Sequence, residues 1–336
     1  MLFFAIPSEV DKVLKEAAIL GVCILISCFS SALYPIANRI VMRQFSKANS
    51  DNMYGKQRLF GTIGDVLTIF LMAIVIGNSN YKFLAYFVPI TTTMALISIL
   101  IYVPGDFKEK KGISEISIDK SDLKTENNFM KLLLNRRYSN FLVISLFNGI
   151  SHAIGMHFFG GFMEDKDLGL GAEKIWISFA HWISCIFEIL LLLFSSKLIA
   201  LVGVKKMTIF AQLCSSIRTG IHAFNVIGSD SLAPKLISLG AESFKGISFG
   251  LMTAIGVIVS SHESSASNKT LAQGLFLAVF SGMSQCLGGL VGTFILSYDQ
   301  YEFIFRGYLG CFRVAFTMSF LALLLSIILN IENRKT

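Results

Sequence analysis

Residues 233–259 read APKLISLGAESFKGISFGLMTAIGVIV, an apolar run with Glu242 and Lys245 set into it. A run of this length is enough for an α-helix to cross a hydrocarbon core of about 30 Å, which takes roughly 20 residues. A charge at bilayer depth costs roughly 2.5–3.5 kcal/mol even on the lenient insertion scale, so an ionisable pair in such a run marks a protected polar site rather than a lipid-facing surface. Glu242 and Lys245 are three residues apart, share a helix face and can pair there.

Outward from this run, eight further apolar stretches of spanning length follow one another along the chain, at 17–38, 59–78, 81–103, 139–161, 173–199, 204–227, 268–296 and 304–330. With 54% hydrophobic and 15% charged residues, a water-soluble domain would expose large apolar patches. None of the stretches has the polar alternation of an outer-membrane strand, so the backbone satisfies itself as α-helix. The expected fold is an all-α integral membrane protein of about nine transmembrane helices that lies in the lipid bilayer.

The one long polar stretch, Asp106 to Arg137, is rich in Lys, Glu, Asp, Ser and Asn. It reads as a linker between two membrane bundles, a partial N-terminal one of three spans over 1–105 and a six-helix one over 138–336. The net charge of +7 does not point to nucleic acid, because the basic residues lie between spans and do so unevenly. One set of loops holds Arg39, Arg43, Lys47, Lys56 and Arg58, the linker, then Lys197, Lys205, Lys206, Arg334 and Lys335, while the alternate loops carry Glu164, Asp165 and Asp167. By the positive-inside rule the basic set and the C-terminus are cytoplasmic.

Five ionisable residues lie well inside spans: Glu188, Arg218, Glu242, Lys245 and Arg313. At 1.5 Å rise per residue they fall about 12–21 Å from the cytoplasmic side, a common depth. Charges at one depth on four helices must face each other or a wet cavity, which a binding site for a small polar solute requires. Glu188 and Arg218, on consecutive helices, can pair across them. A purely structural ion-pair network would also fit, although small residues pack helices at less cost. Gly246, Gly250 and Gly256, and then Gly282, Gly288, Gly289 and Gly292, read as contact surfaces between helices rather than solute contacts.

The six cysteines, Cys23, Cys28, Cys185, Cys214, Cys286 and Cys311, have no Cys-x-x-Cys spacing and read as small apolar packing residues. His152 and His157 are five apart on one helix, about 140° around it, and make no metal pair. No motif asks for a metal or other cofactor, and no Ser-His, paired-Asp or His-Glu-x-x-His arrangement suggests an enzyme. No protein partner is named by the sequence.

The run Tyr54-Gly-Lys-Gln-Arg-Leu-Phe-Gly-Thr-Ile-Gly64, opening a helix after a basic loop, resembles the start of the fifth helix in the lactose permease and nucleoside:proton symporter branch of the major facilitator superfamily. Glu188 with Arg218 thirty residues on, Glu242-Ser-Phe-Lys-Gly-Ile-Ser-Phe-Gly250, and Ala272-Gln-Gly274 follow in that branch's order. The resemblance implies that the chain starts near the end of the third helix, three helices being absent. It assigns proton coupling or sugar binding to the positions of Glu188, Arg218 and Arg58, and places Asn38, three residues after Pro35, where the branch often has an acid, as a candidate solute contact. Lys245 stands where the permease has a histidine and Ser248 where it has a glutamate that exchanges protons, so a coupled proton falls to Glu188 or Glu242.

The expectation is therefore a secondary transporter of a sugar- or nucleoside-like solute, symported with protons by alternating access of two bundles. The competing expectation is a truncated, non-transporting relative that serves as a scaffold or remnant.

Overall fold

The computed structural model describes residues 61–64, 66–68, 87, 90–94, 97, 132–228, 231–264, 269–297 and 307–329. The span at 17–38, most of the next two, most of the linker, Asn38 and Arg58 lie outside the described residues. The chain divides into two compact units, Met1–Ala48 with Ile74–Thr125, and Asn49–Ala73 with Glu126–Thr336. In the first unit, residues 90–94 are helical and the Thr91 hydroxyl donates to the Phe87 carbonyl at 3.0 Å.

The second unit carries the larger described part. In it, 61–64 and 66–68 are helical, with Thr68 donating to the Gly64 carbonyl at 2.8 Å. Helix α1 (Arg136–Glu164), α2 (Lys174–Val202), α3 (Val204–Ala223) and α4 (Leu232–His262) follow. The next pass is α5 (Lys269–Leu277), a π-helical turn (Ala278–Met283) and α6 (Ser284–Ser297), and α7 (Gly307–Ile328) ends the unit. These passes lie in the part of the chain that follows the polar stretch. No strand occurs among the described residues.

Five of the passes are long and apolar enough to cross a membrane. The sixth, α3, has 20 residues, enough for about 30 Å. Its hydropathy is lowered by Gln212, Arg218 and His222, all of them buried. On the outer face apolar side chains are exposed, Phe294 at 62%, Leu290 at 64%, Ile186 at 51% and Phe194 at 53%, while inside the bundle Glu242 and His222 are at 0% beside an apolar core. Only lipid surroundings make that distribution favourable, since in water the same outer face would be a large apolar patch. The protein is an all-α, multi-pass integral membrane protein.

Short connections alternate the direction of the helices. Between α2 and α3 stands Gly203 alone, at φ 92 and ψ 152, a left-handed conformation that glycine adopts without steric cost. At this end Asn135 caps α1, its Oδ1 accepting from Arg137 N at 3.1 Å, and its Nδ2 donates to Glu263 Oε2 at 3.0 Å, tying the start of α1 to the end of α4. At the other end Gly228 N donates to the Gly169 carbonyl at 3.1 Å, joining the α3–α4 and α1–α2 connections. Asn135→Ala removes both the cap and the tie, and is expected to lower stability by about 1–2 kcal/mol, read as a drop in the thermal midpoint in detergent. An unchanged midpoint would mean that lipid-side packing alone holds this end.

The glycines behave as contact surfaces. A Cβ on Gly246 would overlap the Ser184 carbonyl of α2, and one on Gly250 would lie 3.4 Å from Glu188 Cγ. A Cβ on Gly288 would stand 2.6 Å from Ala153 Cβ, and one on Gly292 would overlap the Phe158 ring, so α6 seats on α1. Gly282 differs, with open space around it. In the π turn the Ser284 hydroxyl donates to the Val279 carbonyl at 2.7 Å, five residues back. Phe280, in the same turn, is 3% exposed.

Candidate functional site

The helix faces of α1, α3 and α4 meet along a polar seam. On α4, Glu242, Lys245 and Phe249 occupy i, i+3 and i+7, a single stripe. On α1 the facing stripe is His152, Gly155 and Phe159, with the same spacing, and α3 contributes Arg218 and His222 at i, i+4. Local patterning thus aims the groups, and packing brings the stripes together.

At the centre, Arg218 Nε donates to Glu242 Oε1 at 2.7 Å. His222 Nε2 lies 3.2 Å from the same oxygen. Lys245 Nζ is 3.4 Å from Glu242 Oε2, an ion-pair distance without hydrogen-bond geometry. Arg218 and Glu242 side chains are 3% and 1% exposed. Gly155 makes room for the guanidinium: a Cβ there would come 2.6 Å from Nη1. Arg218 is five residues from the end of α3 and Glu242 ten from the start of α4, which places the cluster about 7–15 Å below the end of the bundle that carries Gly169 and Gly228.

Beneath that end, His222 Nδ1 is 3.4 Å from Ser238 Oγ. Asn225 Nδ2 donates to the same hydroxyl at 2.8 Å. The rings of Phe159, Phe162 and Phe312 enclose the imidazole, with centroids at 5.4, 5.9 and 4.9 Å. Toward the opposite end, half-buried His152 stacks on Phe249 at 4.7 Å, and Phe280 continues the stack. Deeper still, Asn148 Nδ2 donates to Gln212 Oε1 at 2.5 Å, and Gln212 Nε2 reaches Met252 Sδ at 3.1 Å.

Two buried atoms in this seam stand out chemically. Among the described residues, neither Arg218 Nη2 nor Glu242 Oε2 has a hydrogen-bond partner. Leaving such groups unmade costs roughly 1–3 kcal/mol each and more when charged, so these two atoms are the unmet hydrogen-bonding capacity of the seam, with Lys245 at ion-pair distance from Oε2.

Of the expected site residues, Arg218, Glu242 and Lys245 come together, with Lys245 pairing along its own helix as its spacing allowed. The carboxylate that Arg218 engages is Glu242, where the sequence offered Glu188. Glu188 sits instead against Gly246 and Gly250 of α4, because α2 packs on α4 through those glycines. Arg313 lies half-buried on α7, next to the Phe312 that covers His222. Asn38 and Arg58 fall outside the described residues. Sequence reading passed over His222, four residues after Arg218 on the same face, and Phe249, four after Lys245. It weighed His152 only as a metal ligand, whereas the structure makes it half of an aromatic stack.

The fold can be compared with solved structures. The nucleoside transporter NupG is 18% identical, with a TM-score of 0.62, aligned over 86% of this chain and 70% of that one. A point mutant of the same transporter aligns at 18% identity and a TM-score of 0.61, over 80% of this chain and 66% of the other. The chain thus spans about two thirds of the length of these transporters. No curated protein matches its sequence. The model of the MFS_1 like family matches residues 2–307, nearly the whole of a chain whose described helices fold as a major facilitator-type bundle, and the protein belongs to that family.

Proposed function

We propose that this chain works as a secondary active transporter for a small polar solute, sugar- or nucleoside-like, taken up with protons by alternating access. The observation that carries the reading is the open pair at Arg218 Nη2 and Glu242 Oε2. A hydroxyl donating to Oε2 and a neighbouring oxygen accepting from Nη2 would complete both groups, which a vicinal diol does well. The His152–Phe249–Phe280 stack beside it favours a solute with a planar ring, since aromatic stacking adds about 0.5–1.5 kcal/mol. The likeness to a nucleoside transporter agrees with this preference. Glu188, at 8% exposure on the neighbouring helix, together with Arg313, Arg58 and Asn38, completes the set assigned to the solute and proton pathway.

Orientation follows from charge. The end of the bundle with Asn135 and Gly203 carries Arg136, Arg137, Lys197, Lys205 and Lys206, and the other end carries Glu164, Asp165 and Asp167. We place the basic end, and the C-terminus, in the cytoplasm.

The test is uptake of radiolabelled uridine by cells expressing the full chain. Arg218→Gln is expected to cut uptake at least about tenfold, as loss of a charged hydrogen bond implies, and Phe249→Ala by roughly three- to tenfold. If the wild-type chain reaches the membrane folded and moves neither uridine nor a sugar such as ribose, the transport reading fails and the non-transporting alternative takes its place.

A further inference from the structure

Glu242 Oε1 is shared. It accepts from Arg218 Nε at 2.7 Å and faces His222 Nε2 at 3.2 Å. An amide nitrogen can only donate, so Ser238 Oγ accepts from Asn225 Nδ2, and the hydroxyl's own hydrogen is free to point to His222 Nδ1. In its neutral form His222 carries its hydrogen on Nε2, because only the carboxylate oxygen faces that nitrogen and the Ser238 hydroxyl can donate to Nδ1. The charges acting on the imidazole are Glu242 and Lys245 from α4 and Arg218 from α3. Phe159 and Phe162 from α1 and Phe312 from α7 present rings to it. His152, on α1, lies within the field of the same three charges and of His157.

The geometry points to His222 as the proton-accepting group of the seam, in competition with Arg218 for Glu242. For its purpose this rests on the transport reading above; for its chemistry it does not. A proton delivered by hydronium adds to Nδ1, leaving water. The Ser238 hydroxyl turns its hydrogen away, and its oxygen accepts from the new Nδ1–H. No other bond is made or broken, and the product is an imidazolium that donates to Ser238 Oγ and Glu242 Oε1. His222 is fully buried, so burial is the first cost of a charge on it, and Arg218 and Lys245 already set two positive charges against one carboxylate, a cost that lasts while Arg218 stays. Whatever draws Arg218 off Oε1 makes the proton welcome. A solute oxygen bonding Nη2, the guanidinium nitrogen that lacks a hydrogen-bond partner, does so by competing for the same side chain, and by linkage a proton on His222 then favours the solute in equal measure. Solute and proton are coupled through one oxygen atom.

The experiment is nitrogen NMR of the full chain, labelled at its five histidines, in lipid nanodiscs, with His222 assigned through His222→Gln. At about pH 6, near the ordinary histidine range, Arg218→Gln is expected to raise the imidazolium fraction of His222 several-fold. Ser238→Ala, which leaves every charge in place, is expected to lower it. Uridine serves as the probe of coupling. If uridine raises the fraction in the wild type, both proposals hold. If uridine has no effect while Arg218→Gln and Ser238→Ala act as stated, the proton site stands and the solute assignment falls. If neither variant changes the fraction, the inference is overturned, whether or not uridine is transported.

Discussion

Glu242→Ala is expected to destabilise the bundle by about 3–5 kcal/mol, the usual result of removing one partner of a buried ion pair and leaving the other uncompensated. Here two cations and an imidazole converge on the lost carboxylate, at 2.7, 3.4 and 3.2 Å. The measurement is the thermal unfolding midpoint of the purified chain in detergent, with Glu242→Gln alongside to hold volume constant. Arg218→Met alone should be milder, because Lys245 and His222 remain at Glu242. The double variant Glu242→Ala with Arg218→Met should cost less than the sum of the two single changes, since it removes a charge of each sign. Additive losses would mean that the two residues are not energetically coupled, and a wild-type midpoint for Glu242→Ala would contradict the arrangement altogether.

The second large effect concerns Gly246. A methyl there would overlap the Ser184 carbonyl and come 2.9 Å from Glu188 N, both main-chain atoms of α2. Main chain cannot turn aside as a side chain can, so the helices must separate and the α2–α4 contact must loosen. Gly246→Val is expected to cost about 3 kcal/mol or more, the upper range for overpacking, and to release Glu188 from its seat. Gly240, on the same helix, has nothing within 4 Å of an added Cβ. Gly240→Ala is expected to be neutral or to stabilise by up to about 1 kcal/mol through helix propensity. Equal losses at the two positions would refute the packing account of the α2–α4 interface.

The sequence carried the passes themselves. Spanning length is a property of a contiguous run, and the penalty for a charge in lipid depends on depth along that run. Hence the expected 173–199, 233–259 and 268–296 lie within a few residues of the helical passes described, and Glu188, Arg218, Glu242, Lys245 and Arg313 could be singled out as charges inside spans. The charge asymmetry of the loops was legible for the same reason. So was the packing role of Gly246, Gly250, Gly288 and Gly292, because small residues at helical spacing imply close approach.

What the sequence did not determine is rotation about each helix axis and the choice of neighbour. Read along the chain, Glu188 on the preceding helix was the partner offered for Arg218, and Lys245 the partner offered for Glu242. Tertiary structure chose Glu242, because the glycines of α4 let α2 press its Glu188 against them while Glu242 turns toward α3. His222 and the His152–Phe249 pair went unread for a like reason. An imidazole in an apolar span is ambiguous until the surrounding rings and the shared carboxylate oxygen are in place, and those come from three other helices. Composition and run length thus settled that this is a many-helix membrane protein with a charged interior, because those are one-dimensional quantities. Only the packing of α1, α3, α4 and α7 decided which charges share a hydrogen bond and which atoms stay open, because that depends on distances of a few tenths of an ångström between residues far apart in the chain.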